Sequence, residues 1–306
     1  HLKKWDKEKI TNAFKCDIED SIVERIMLLN IENIWKVLLI MGIGVFKKHD
    51  SKEYNTIMKE LANEQKLYLV VASSVITHME NPKIFAKNIK NFLCENGVLI
   101  IEIEYLQNFI KNIEFERFYF DRPFYYSANS IDLLFKKVGM TLYDIEKINI
   151  HGGSLRCFIK NSSKFKKTER CKKILKYENH KLNLKAFINF NKKIKIQADK
   201  FRNALIKYNL ENKYVIGYGA PARVSTLTNV SDVNSNLIKY IIDDSPLKQN
   251  RFSPGKHIKI NPRKKNISSK IDIVVVFAYE YFKEIRKNFK NYKVNFFKPI
   301  PFSLLK

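Results

Sequence analysis

Two kinds of apolar pattern alternate along this chain. Short β-branched and aromatic runs at 67–72, 98–103, 141–150, 155–159, 214–216, 237–242, 271–278 and 294–297 read as buried strands. Between them lie segments whose apolar positions recur every three or four residues, the spacing of one helix face. Residues 17–30 carry Ile22, Val23, Ile26 and Met27 in this way, and 164–209 carries Ile174, Leu175, Leu182, Leu184, Phe187 and Ile188. Asn81-Pro82 opens a helix to about residue 93, Pro221 stands in the first turn of another at 222–229, and a last one covers 280–288. Strand, loop, helix, the turn Glu95-Asn96-Gly97 and strand over 67–103 make a βαβ unit, which predicts a parallel sheet covered by helices. The same alternation over 214–297 predicts a second open α/β sheet. The expected organisation is a first domain over 1–160, a helical connection over 161–209 and a smaller domain over 210–306.

The length of 306 residues agrees with two domains, and 45% hydrophobic residues exclude a disordered chain. The net charge of +25, from 56 Lys+Arg against 31 Asp+Glu, raises nucleic acid or an anionic substrate as partner. The lysines are spread over the whole chain, denser only at 160–200 and at Arg263-Lys264-Lys265, and no familiar nucleic-acid motif accompanies them. A solvated basic face is therefore expected, and nucleic acid is not an expected partner. Cys16, Cys94, Cys157 and Cys171 have no metal-ligand spacing, so no metal is expected and a reduced cytoplasmic protein is the simplest reading. No signal peptide is seen, and the apolar run 37–46 is too short to span a bilayer.

Candidate chemistry is densest at 213–255. The strand 214–216 runs into Gly217-Tyr218-Gly219-Ala220-Pro221 and then a helix, which is a place where backbone N–H groups and a helix N-terminus can meet a phosphate. The next strand ends in Asp243-Asp244-Ser245-Pro246, and an acidic residue at such an edge commonly meets a ribose or an amine. In the loop 248–255, Lys248 and Arg251 can meet phosphate oxygens, and Gly255 suits a turn. A Gly-x-Gly is equally consistent with a tight turn that holds no ligand.

Three motifs in order, His151-Gly152-Gly153-Ser154-Leu155-Arg156, Gly217-Tyr218-Gly219-Ala220-Pro221-Ala222 and Asp243-Asp244-Ser245-Pro246-Leu247-Lys248 to Pro254-Gly255, resemble those of the sugar C-methyltransferases. The resemblance runs from about Leu67 to the end. It implies S-adenosylmethionine as cofactor, a nucleotide-linked ketosugar as substrate, and a role in making surface polysaccharide or a glycosylated product. It also implies a methyltransferase-like, Rossmann-like first domain and a smaller Rossmann-like second one, with the substrate held in a cleft between them. The family's cofactor loop and its N-terminal cysteine-rich zinc module have no match. The run 37–44 lacks the carboxylate such a loop needs, residues 29–50 match a helix followed by a short strand, and the loop would lie before residue 1 or be lost. His78 matches the His of the family's Asn-Asn-Val-x-x-His, with Ser73 and Ser74 in place of the paired asparagines, so these three are candidate cofactor contacts. Glu102 and Tyr105 match the family's Glu-x-Pro-Tyr-Leu, with Glu104 where Pro is usual. Glu104 and Tyr105, with Ser154 and Arg156, are candidate substrate contacts, as are Gly217, Gly219, Arg223, Asp243, Lys248 and Arg251.

The reacting end departs from the family. Where it carries Tyr-His-Glu-His, with the last His thought to abstract the sugar proton, this chain has Tyr119, Phe120, Asp121 and Arg122. Removing a proton beside a ketone calls for a base with a pKa near the working pH, and arginine is protonated throughout that range. Three readings stay open. Asp121, Tyr119 or His151 acts as base; or Arg122 binds a charged substrate or steadies an enolate, with methylation at oxygen or another carbon; or nucleotide-sugar is bound without turnover, as by a binding protein or a fragment of a longer enzyme. His78, His151 and Arg156 also have plainer readings, as a helix-preceding residue, a satisfied turn histidine and an internal salt bridge.

Overall fold

The computed structural model describes residues 18–40, 43–45, 51–150, 152–264 and 266–305. By its contacts the chain divides into two compact units, His1–Gln107 with Arg122–Lys181 and Asn108–Asp121 with Leu182–Lys306. The helical stretch expected over 161–209 consists of two helices, one in each unit.

The first unit runs α1 (Asp20–Leu28), α2 (Asn33–Ile40), β1 (Ile43–Val45), α3 (Lys52–Asn63), β2 (Leu67–Ser73), α4 (Pro82–Phe92) and β3 (Leu93–Glu104). After α5 (Leu106–Asn112), where the chain crosses into the other unit, it continues with α6 (Ala128–Lys136), β4 (Thr141–Ile148), β5 (Ser154–Lys160) and α7 (Glu169–Lys181). Helix starts follow capping chemistry: Ser51 accepts from Tyr54 N, Asn81 from Ile84 N, and Ser127 and Ser130 form a reciprocal box. Glu178 of α7, itself buried, accepts from Ala128 N at 2.6 Å and Asn129 N at 2.8 Å, so a carboxylate closes the positive end of α6. The sheet order is β1-β2-β3-β5-β4, with β1, β2 and β3 parallel and β5 antiparallel to both neighbours. The expected βαβ unit is therefore present. Strand β3, however, begins at Leu93 rather than after the turn at 95–97, because the chain bends within the strand at Asn96, in the left-handed region at φ 59°. Leu99, Ile101 and Ile103 of β3 are buried with Ile57 and Leu61 of α3, Ile89 of α4 and Phe135 of α6.

The second unit contains α8 (Leu184–Leu210), β6 (Val215–Tyr218), α9 (Arg223–Val230), β7 (Ile241–Ile242), β8 (Ile260–Asn261), β9 (Ile273–Val276), α10 (Phe282–Lys287), β10 (Asn295–Lys298) and β11 (Ser303–Leu305). Its order is β11-β10-β9-β6-β7-β8, parallel except for β11. Successive residues of β6, β7 and β9 enter opposite cores: Val215, Ile241, Ile273 and Val275 on one face, Ile216, Ile242, Val274 and Val276 on the other. This two-sided burial is why the segments read as continuous apolar runs. The strand expected at 237–242 shrinks to two residues, since Leu237 and Ile238 close a turn onto Asn234 O before the ladder begins. The edge strands β8 and β11 have too few residues to leave a pattern. Among the described residues no helix is long and apolar enough to cross a membrane, and no His, Cys, Asp and Glu cluster is placed to hold a metal ion.

Candidate functional site

Strand β6 extends two residues further than its apolar run, so Gly217 is a strand residue packed against Phe277 and Ile241; a Cβ there would come within 2.7 Å of the Phe277 ring. Gly219 turns the chain at φ 83°, where a Cβ would meet that of Ala278 at 2.5 Å. Three amides of the turn are already used: Gly217 N bonds Tyr240 O, Gly219 N bonds Ile242 O at 2.7 Å, and Ala220 N bonds Asp243 Oδ2 at 2.6 Å. Gly217 and Gly219 thus stand in a close-packed turn whose own amides bond within the protein. Asp243, buried, also accepts from Ser245 N at 2.9 Å and meets Lys248 Nζ at 3.4 Å, so it fastens the turn to the following loop rather than presenting a carboxylate to a ribose.

That loop is held as firmly as a hairpin. Ser253 N bonds Ile258 O, Ile258 N bonds Ser253 Oγ, and Phe252 bridges Lys259. Asn229 of α9 donates to Pro254 O at 3.2 Å, and its amide lies where any Cβ at residue 255 would go, 2.3 Å away. Gly255, at φ 84°, is required there.

Between α9 and this loop lies a cavity of about 760 Å³. Its walls come from Phe118 to Asp121, from Ala220 to Ala222 and the outer face of α9, and from Leu247 to Pro254. The structure therefore brings together four of the residues singled out in the sequence: Tyr119, Asp121, Lys248 and Arg251. Arg251 is exposed and its side chain has no hydrogen-bond or ion-pair partner among the described residues, whereas Lys248 has Asp243. Phe120, fully exposed at 102%, and Phe252, at 56%, add apolar surface that no core claims. A large apolar cavity with a few charged tips is the usual form of a small-molecule site.

The segment carrying Tyr119 is moored on α9, where Thr226 Oγ1 donates to Phe118 O at 3.0 Å and Phe115 enters the core. Beside it Glu116 is buried, its Oε1 accepting from the Tyr279 hydroxyl at 3.2 Å. Burial pushes the Glu116 carboxyl above the usual range, outweighing its own backbone amide, Arg223 and Tyr279. Arg223 does not line the cavity. Its guanidinium is buried, paired with Glu280 at 2.6 Å and stacked 4.6 Å over the Tyr279 ring. Burial works against its charge, but Tyr279 and Glu280 more than offset this and hold its pKa above the ordinary value. Sequence reading missed Glu116, Tyr279 and Glu280. Their signal was available, because Tyr279 and Glu280 follow the end of β9 as Asp243 follows β7.

In the first unit the candidates are joined to one another. Ser73, Glu102, Arg156 and Glu146 stand at one register across four strands. Ser73 Oγ donates to Glu102 at 2.8 Å, and Arg156 pairs with Glu102 at 2.7 Å and Glu146 at 3.2 Å. Arg156 thus has the internal salt bridge that was its plainer reading. Arg122 is ion-paired with Glu104, which is buried. Tyr105 is buried, and Lys147 sits 5.8 Å over its ring. Ser154 donates to Ile150 O at 3.0 Å within the β4–β5 connection, where Gly152 and Gly153 both have positive φ. His151 lies outside the described residues.

Ser74, in the left-handed region at φ 54°, and the exposed His78 stand beyond the end of β2, next to a second cavity of about 450 Å³. That cavity is lined by apolar side chains such as Val75, Met79, Ile84 and Phe85, with Glu80, Asn81 and Asn88 as polar points. Apolar walls with a few polar points suit the nucleoside of S-adenosylmethionine, although Ser74 and His78 are not among the residues that line the cavity. What that molecule supplies is a methyl group on a sulfonium.

Comparison with known proteins finds three kinds of similarity. A solved S-adenosylmethionine-dependent methyltransferase of Thermotoga maritima, described as a possible histamine N-methyltransferase, is similar to 47% of this chain over 88% of its own, at 17% identity and a TM-score of 0.28, too low to define a shared arrangement. The C-methyltransferase NovU of Streptomyces niveus is 23% identical over 242 residues, 76% of this chain and 57% of that protein, so the chain matches little more than half the length of this relative. The family model of the C-methyltransferase C-terminal domain matches residues 149–301, half of the 306 residues. By that match the chain belongs to the C-methyltransferase C-terminal domain family.

Proposed function

We propose that this chain serves the transfer of a methyl group from S-adenosylmethionine to a sugar carried on a nucleoside diphosphate, with the nucleotide in the cavity of the second unit. One observation carries the reading: a single cavity gathers Tyr119 and Asp121, from the family's reacting segment, with Lys248 and Arg251, the cations of its C-terminal loop. Arg251 offers a planar, unpaired fork to a diphosphate. Asp121 is the carboxylate placed to take a proton from the sugar, and the Tyr119 hydroxyl can donate to the oxygen that gains charge as the proton leaves. Methyl transfer agrees with the C-methyltransferase relative. A cytoplasmic setting fits Cys157 and Cys171, which are free thiols.

Binding of nucleotide-sugar without turnover is favoured by one specific contact. Arg122, in the position of the family's proton-abstracting histidine, is held by Glu104. Titration calorimetry with a thymidine-diphosphate sugar tests the main reading. Micromolar binding is expected, weakened about 10- to 100-fold by Arg251→Ala, the value of a charge-assisted contact of about 1.5–3 kcal/mol. Equal affinity of wild type and variant would remove the nucleotide from this cavity.

A further inference from the structure

On its loop side the cavity is lined by three polar side chains, Lys248, Arg251 and Ser253, set between Leu247, Phe252 and Pro254. Two of the three are cations. Ser253 is different, because it is only 2% exposed. Among the described residues its hydroxyl has a single partner, the Ile258 amide, which donates to Ser253 Oγ at 3.0 Å. That bond uses a lone pair of the oxygen and leaves the hydroxyl hydrogen without an acceptor. The neighbouring hydroxyls are spent: Ser225 Oγ donates to Pro254 O at 3.4 Å, and Thr226 Oγ1 to Phe118 O at 3.0 Å. A donor taken out of water and given no acceptor opposes folding, so an unmet hydrogen on a buried side chain at a cavity wall marks a place for a ligand atom.

The chemistry of that atom follows from how donors and acceptors are distributed. Lys248 and Arg251 can only donate, and Ser253 has its donor left, so the loop wall gives hydrogen bonds. Acceptors stand on the other walls. Asn229 uses both amide hydrogens, on Ser225 O at 2.7 Å and Pro254 O at 3.2 Å, which leaves its Oδ1, and Asp121 brings a carboxylate. Base and ribose carry donors as well as acceptors and suit those walls. An ionised diphosphate carries acceptors alone and suits the loop. Ser253 is two residues from Arg251, at most about 7 Å between Cα atoms, so one diphosphate can meet both.

We propose that Ser253 is a third diphosphate ligand of this cavity, its hydroxyl donating to a phosphate oxygen beside Lys248 and Arg251. The inference rests on the reading that the cavity takes the nucleotide. It adds what two long, mobile cations lack: a short side chain whose oxygen is already held by Ile258, so that little freedom is lost when the ligand arrives.

The test is calorimetry of the whole chain with thymidine diphosphate and with inorganic pyrophosphate, on wild type, Ser253→Ala and Ser253→Cys. The cysteine keeps the shape of the side chain and offers only a weak donor, which separates loss of the hydrogen bond from damage to the loop. Both variants should raise the dissociation constants of both ligands, by about 10- to 100-fold. A loss confined to thymidine diphosphate, or a wild type that does not bind pyrophosphate, would put Ser253 against the base or ribose and overturn the proposal. Unchanged affinity of the variants would overturn it as well. These results leave the nucleotide reading intact, whereas a wild type that binds no thymidine diphosphate would overturn both.

Discussion

Across the sheet of the first unit, Ser73, Glu102, Arg156 and Glu146 bond to one another in a single rung, and Arg122 and Glu104 make a further pair. Around the cavity of the second unit, Lys248 keeps a 3.4 Å contact with Asp243, and the Arg251 side chain keeps none among the described residues. Both regions were marked in the sequence by the same kind of evidence, motif residues at strand ends. The difference lies in what each charge meets after folding. A charge that finds its counter-charge within the sheet has little left for a ligand and acts mainly on order and stability. One left at the mouth of an apolar cavity has its attraction in reserve. Arg223 makes the same point within the second unit: it is as much a motif residue as Arg251, yet Glu280 and the Tyr279 ring consume it.

The comparison can be broken at its structural side first. Gly219→Ala forces a side chain into a left-handed turn and against the Cβ of Ala278, 2.5 Å away. It should cost about 3 kcal/mol or more in urea unfolding and weaken nucleotide binding with it. A wild-type midpoint would show that the turn is not close-packed. Arg156→Met comes next. It removes the cation from Glu102 in a half-buried rung and should cost about 1–2 kcal/mol, leaving nucleoside diphosphate affinity unchanged. An affinity loss there would erase the distinction between the two regions.

The smallest effect concerns Glu116, whose folded pKa is raised by burial. As pH rises, the unfolded chain releases this proton first, so stability is full below the ordinary carboxylate range and falls as pH climbs to the folded pKa, then levels off. Glu116→Gln removes the proton and should flatten that decline. Parallel pH profiles of the unfolding midpoint for the two proteins would mean that the carboxyl is not held neutral.

The fold was legible where its period was long or doubly buried: α4 from Asn81-Pro82, β2, β6 and β9 from their apolar runs. It was illegible where two residues suffice for a strand, as in β7 and β8, because pairing is decided there by neighbours remote in sequence. The site was half legible. Lys248, Arg251, Tyr119 and Asp121 were named from motifs and do line one cavity, but nothing local told Arg223 from Arg251. That distinction needs Glu280, 57 residues away from Arg223 in the chain. Gly217 and Gly219 were read for ligand approach, and nothing in the sequence told how closely Phe277 and Ala278 pack against them.

The central claim is the location of the nucleotide, and hydrogen exchange of the chain with and without a thymidine-diphosphate sugar addresses it most directly. The account predicts slowed exchange at 118–121, 220–229 and 247–254, the walls of the cavity, and no change along the rung at 102–104 and 154–156. Protection confined to the rung, with the cavity walls unaffected, would contradict it.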